Sequence, residues 1–204
     1  MERMRPEDIE RAEVARRQVE AAESRLRVLE RTQFSKLEVA KTTERQMGEA
    51  IEALRDMPEL KPEVWRGLSP EQRFEALRGV EQRMAAIQGR PPVEMTVEPC
   101  TLAGASGQYD HSTGRMSIAP EELQSENPYR VLDTVINEGR HAYQHYAVEH
   151  PGFHPISKEA QLWEWNMEPD NYLMPNEVGG RAYALQPIEI DAISYSSGIV
   201  MGLI

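Results

Sequence analysis

The sequence predicts an α+β protein that is predominantly helical: a long N-terminal helical, coiled-coil-like arm followed by a small domain with a short antiparallel sheet. Three features of the chain point there. Apolar residues recur at three- and four-residue steps through much of the first ninety positions, the period changes to alternation after "RPP", and composition changes at the same place. Residues 1–90 carry 18 basic and 18 acidic groups, whereas residues 91–204 carry 5 and 16, so the whole net charge of −11 lies in the second part. All seven Tyr and all five His also follow residue 90. The expected division is therefore a helical arm or helical hairpin over 1–90 and a small domain over 91–204.

The stretch from Pro6 to about Met57 is rich in Ala, Glu, Arg and Leu and has no internal proline. Val19, Ala22, Leu26, Leu29, Leu37, Ala40, Met47, Ile51 and Leu54 form one narrow stripe of coiled-coil type, interrupted by polar Gln33 and Glu44. Such a stripe needs a cover: a second helix of this chain, another copy, or another protein. "MPELKP" ends the segment with two prolines, and "SPEQ" opens the next helix, with Ser69 as N-cap, Pro70 at the first helical position and Gln72 reaching back. That helix runs through Phe74, Leu77, Val80 and Met84 to Gly89. "VEMTV" then alternates as a strand, and "GQYDHSTGRMSIAP" reads as a hairpin turning at "DHSTG". Pro120 and Pro128 open helices, the second from about Asn127 to Glu149, a shorter helix is expected across Ser157 to Trp165, and a last one follows Pro187.

Composition excludes several function classes. Hydrophobic residues make up 40% of the chain and mean hydropathy is −0.61, and no apolar run approaches the roughly 20 residues that cross a bilayer. The opening "MERMRPEDIERAE" lacks the apolar stretch of a secretory signal, so a cytoplasmic location is expected, with leaderless secretion left open. Cys100 is alone and has no disulfide partner within the chain. The acidic second half would repel phosphate backbones, and nucleic acid is not an expected partner. There is no Gly-x-Ser-x-Gly elbow, "GASG" lacks the Lys of a phosphate loop, and only one Glu-x-x-His pair exists where a di-iron bundle would use two.

"VINEGRHAYQHY", Val135 to Tyr146, carries the chemistry. Leu132, Val135, Gly139, Ala142 and Tyr146 share the core-facing side of this helix, and Asp133, Asn137, His141 and His145 follow one another at four-residue steps beside it. Two His at i and i+4 can share a tetrahedral metal, and in His-Glu-x-x-His the Glu acts as general base on a water acidified by Zn²⁺. Glu138 holds the Glu position, His141 the second ligand position, and Asn137 stands where the first His would be. "QPIEIDA" offers Glu189 and Asp191 about fifty residues later as acids for a third ligand, although first-turn acids also suit a helix dipole.

On "NEGRH", the hairpin "GQYDHSTGRMSI" and "PIEIDA", residues 93–204 resemble a small zincin-like metallopeptidase domain of the gluzincin type. The resemblance implies peptide-bond hydrolysis by metal-activated water, with Glu138 as the catalytic base, His141 and Glu189 as zinc ligands, and the edge hairpin aligning an extended peptide. Domains of this type also occur in bacterial and phage proteins, including toxins with helical leaders. The departure is Asn137, whose neutral amide oxygen is a poor substitute for imidazole on zinc, so the expected metal is Zn, bound weakly or not at all. An inactivating substitution, a natural pseudoenzyme, and a rewired site pairing His145 with His141 all accommodate it. Tyr143 and Tyr183 are candidates for a hydrogen bond to a tetrahedral intermediate, whereas His150, His154 and "LWEWNM" read as loop and packing residues. The expected partner is a peptide or protein substrate. The alternative is a non-catalytic helical scaffold protein whose N-terminal helix recruits a partner or self-associates.

Overall fold

The computed structural model describes residues 36–204 except residue 103, with side chains from residue 43 onward. Helix α1 (Lys36–Arg55) is followed by a 3-10 turn (Pro58–Leu60), a short α2 (Pro62–Trp65) and α3 (Pro70–Gln88). Strands β1 (Glu94–Val97), β2 (Gly107–Asp110) and β3 (Arg115–Ile118) precede a second 3-10 turn (Pro120–Gln124). Then come α4 (Pro128–Glu149), α5 (Ser157–Met167), the short α6 (Pro175–Val178) and α7 (Gly180–Ala184), and α8 (Pro187–Leu203). The molecule is thus α+β and mostly helical. No helix among the described residues is long and apolar enough to cross a membrane.

Local chemistry sets the element ends. Ser69 and Gln72 form a reciprocal capping box on α3, and Gly89 ends that helix at φ +76°, a conformation a side chain would strain. Asn127 caps α4 by accepting from the Tyr129 N–H, and Pro128 and Pro187 occupy first-turn positions where the missing N–H costs nothing. Asp110 holds the β2–β3 turn by accepting from the Ser112 N–H at 2.9 Å and its hydroxyl at 2.7 Å. The sheet order is β1-β3-β2: β2 and β3 form the expected antiparallel hairpin, while β1 joins β3 in parallel.

One apolar core crosses the compositional boundary at residue 90. Ala50 and Leu54 of α1 and Leu77, Val80 and Met84 of α3 pack with Met116 and Ile118 of β3, with Leu132 and Val135 of α4, and with Tyr195 and Ile199 of α8. Met47 and Ile51 fit against Gly198 and Gly202 of α8, where a Cβ would collide with them. The described end of the apolar stripe is therefore covered by the chain's own last helix. Val19, Ala22, Leu26 and Leu29 lie outside the described residues, as do the Leu37 and Ala40 side chains. A smaller cluster of Tyr143, Ala147, Trp163 and Ile188 joins α5 to α4 and α8.

The link from α3 into β1 rests on a buried ion pair. Arg90 grips Glu81 with two hydrogen bonds, 2.7 and 2.9 Å, and the two side chains are 1% and 2% exposed. Glu81 also accepts from the Val93 N–H at 3.0 Å, directing the chain into the strand. Gly139 of α4 presses on this pair: a Cβ there would lie 3.0 Å from both Arg90 Nη2 and Glu81 Oε2. A buried, doubly bonded pair cannot swing aside without leaving charge unpaired. Gly139→Ala is expected to destabilise the protein by about 1–3 kcal/mol. Thermal unfolding reads this as a loss of roughly 2–4 °C per kcal/mol for a chain of this size. An unchanged melting temperature would show that α4 does not bear on the pair.

Candidate functional site

The site lies where α4 and α8 pack antiparallel. Arg140 forks onto Asp191, with Nε to Oδ2 at 2.8 Å and Nη2 to Oδ1 at 3.0 Å. Its guanidinium, in a side chain 1% exposed, also lies over the Tyr143 and Tyr195 rings at 4.4 and 4.5 Å. One turn along, Gln144 Nε2 donates to the Ile188 carbonyl at 2.9 Å and to Asp191 Oδ2 at 2.7 Å. Both amide hydrogens are then used, so Gln144 Oε1 faces His141 Nδ1 at 2.9 Å as an acceptor. The network assigns the proton to Nδ1 and turns Nε2 toward α8.

There Nε2 meets Glu189 Oε2 at 3.7 Å. Glu189 is buried, and its other oxygen accepts from the Tyr172 hydroxyl at 2.8 Å, which lies 3.0 Å from the Tyr183 hydroxyl. Burial pushes the Glu189 carboxyl up, but His141 and the tyrosine hydroxyls outweigh it and hold the group below the usual carboxylate range. Burial likewise disfavours a charged His141, yet the Glu189 carboxylate, with Glu138 adding to it, lifts the imidazole to about 9. At 3.7 Å that attraction is charge on charge, since the distance exceeds a hydrogen bond. Glu138 moves the other way: burial raises its carboxyl, with His141 and the Tyr109 amide only partly countering. Glu138 Oε2 accepts from the Tyr109 N–H at 2.8 Å. Asn137, one turn before His141, is satisfied by donating to Glu138 Oε1 and accepting from the Ile193 N–H, both at 3.3 Å.

The donors can be compared with what zinc requires. His141 Nε2 and Glu189 Oε2 stand close to the roughly 3.4 Å that separates two ligands of a tetrahedral ion with bonds of about 2.0–2.1 Å. A buried acceptor on the far imidazole nitrogen also suits a metal ligand. The third donor is lacking. Asn137 offers a neutral amide already engaged by Glu138 and Ile193, and Asp191 is taken by Arg140 and Gln144. Among the described residues, no group of three or more His, Cys, Asp or Glu is arranged to hold a metal ion. Two strong donors and an amide do not fit a three-ligand catalytic zinc centre.

Of the residues singled out in the sequence, His141 and Glu189 come together, Glu138 is near enough to influence both, and Asn137 lies on the same α8-facing strip. His145 instead stacks on His111 of the β2–β3 turn, with ring centroids 4.6 Å apart and planes 4° from parallel. The Tyr143 hydroxyl meets His154 Nδ1 at 2.9 Å in the smaller apolar cluster, and His154, a turn residue by sequence, is buried there against Glu159. Sequence reasoning missed Arg140, Gln144 and Tyr172. Gln144 was detectable three residues after His141 on one helix face, but Tyr172 lies in a loop whose course no spacing reports. In comparisons with known proteins, no family model matches the chain, and no curated protein or solved structure matches it.

The two histidines of this helix should titrate on opposite sides of the ordinary imidazole value of 6.5. His145 is drawn down to about 4 by burial, with His111 and His141 adding to the effect. Its contribution to stability is complete above 6.5 and is lost as pH falls toward 4; that of His141 is complete below 6.5 and is lost as pH rises toward 9. Imidazole resonances followed by NMR in metal-free protein are expected to report these two values. Titration of both near 6.5 would contradict the buried His141–Glu189 pair and the His111–His145 stack.

Proposed function

We propose that residues 93–204 are a zincin-type peptide hydrolase domain whose metal centre is dismantled at Asn137, leaving a form that binds zinc weakly or not at all. The observation that carries this reading is the approach of His141 Nε2 to Glu189 Oε2, 3.7 Å apart, from helices that meet only through tertiary packing. Gln144 prepares the imidazole by holding Nδ1–H, and the Tyr172 hydroxyl orients the carboxylate. Glu138 sits beside both groups with its carboxyl raised, as suits a group that takes up a proton. The shortfall is in the donor set, and no hydrolytic step is assigned through a metal in this chain. A site rewired through His145 has less support, because that ring is committed to His111. The non-catalytic scaffold reading also has less support, because the described end of the recruiting stripe packs on α8.

Replacing Asn137 tests this directly. Asn137 occupies the strip one turn from His141 and opposite Ile193, itself one turn beyond Glu189, so an imidazole there would extend toward the same gap. Purified protein is expected to carry substoichiometric zinc, and Asn137→His about one zinc per chain, by metal analysis with mass spectrometry. Failure of the restored His to gain zinc in a folded variant would sink the hydrolase reading.

A further inference from the structure

Between α5 and α8 the chain makes a loop that is shut at its neck. The buried Gln186 side chain accepts from the Leu173 N–H at 2.7 Å and donates to the Leu173 carbonyl at 2.9 Å, as a paired strand would. Asn166, also buried, donates to the same Gln186 oxygen at 3.2 Å and accepts from the Ile188 N–H at 3.2 Å. These amides fix both ends of the loop on α5 and α8. Beyond the neck the packing is thin: no residue from Met174 to Leu185 is buried, and Met174 and Leu185 are exposed. There α6 and α7 are joined by Gly179, whose φ of +81° and ψ of 153° suit glycine alone. A Cβ on Gly179 or Gly180 would meet nothing within 4 Å, so the joint has room to turn.

Tyr183 on α7 ties this loop to the cleft. Its hydroxyl lies 3.0 Å from that of Tyr172, which gives its own proton to Glu189, so Tyr183 is the donor of the pair. Tyr183 is close enough to Glu189 and Glu138 for both charges to act on it, and burial first of all keeps its hydroxyl protonated. Those two carboxylates flank His141, which is 9% exposed. The geometry points to residues 174–185 as a gate on the cleft: it turns about Gly179 and Gly180, stays clamped at Gln186, and is held closed by the Tyr183 hydroxyl. A loop with so little buried surface opens at small cost, and the clamp brings it back to the same place. Opening bares His141 and Glu189 while α4 and α8 keep their register. That the gate serves catalysis rests on the hydrolase reading; that it opens does not.

Diethyl pyrocarbonate, which modifies neutral imidazole, probes the gate in the metal-free full chain. The rate at His141 is read by peptide mass spectrometry and corrected for the neutral fraction given by the NMR titration. Tyr183→Phe keeps the ring and removes only the tie, so His141 is expected to react about 3- to 10-fold faster. Gly180→Pro should slow it, because this residue opens α7 without a positive φ and a proline there stiffens the joint. Exposed His150 should react alike in all three proteins. Equal His141 rates across the three overturn the gate. So does a rise in Leu173 amide exchange in Tyr183→Phe, which would mean that the neck opens as well. A faster His141 in Tyr183→Phe, with no zinc gained by Asn137→His, leaves the gate standing and removes only the hydrolase reading.

Discussion

The arrangement of this protein depends on the buried fork of Arg140 on Asp191. Taking the guanidinium out of water is costly, Asp191 keeps 22% of its side chain exposed, and such a pair adds little net stability over well-packed apolar groups. Its effect is on register. Arg140 and Gln144 from α4 converge on the same Asp191 carboxylate of α8, and a slip of one helical turn, about 5.4 Å, would part the fork and strand the guanidinium between Tyr143 and Tyr195. With that register set, His141 faces Glu189 on α8, and Asn137 faces Ile193. Placement of the candidate site residues is a by-product of a structural pair. The acid closest in sequence to the candidate ligand is the one the fold spends on holding the helices together.

The electrostatics of the cleft follow from what each group can reach. Glu189 has an imidazole and a phenol hydroxyl and stays anionic, whereas Glu138 has one backbone amide and one carboxamide and is driven toward its neutral form. Two glutamates on neighbouring helices are thereby pushed apart in acidity by burial with different partners. Asn137 completes this balance, since its amide bridges Glu138 to the α8 backbone. A residue that reads as a defect in the motif is, in the folded chain, a fitted hydrogen-bonding piece.

What the sequence revealed was local. The cap at Ser69, the prolines opening α4 and α8, and the hairpin turn at Asp110 are decided by a few neighbouring residues, and each appears where the pattern put it. The spacing of Glu138 and His141 likewise belongs to one helix. Convergence with Glu189 needed the family resemblance as a guide, because nothing in spacing ties residues 141 and 189. Roles that arise only on packing were hidden: nothing in the pattern singled out Arg140, and Tyr172 lay in an irregular loop stapled by the buried amides of Asn166 and Gln186. The parallel pairing of β1 with β3 was also hidden, since alternation reports a strand and not its neighbour.

The seating of α1 on α8 has a consequence for how the chain is made. α8 supplies Glu189 and Asp191 to the cleft, Tyr195 and Ile199 to the core, and the two glycine notches that receive Met47 and Ile51. It is also the last of these elements to be synthesised. A nascent chain that lacks it carries an uncovered apolar flank on α1, an unmatched Arg140 and an imidazole with no carboxylate opposite. Vectorial synthesis thus keeps the cleft unassembled until nearly all of the described chain has emerged, so its long-range closure comes after the other described elements are made.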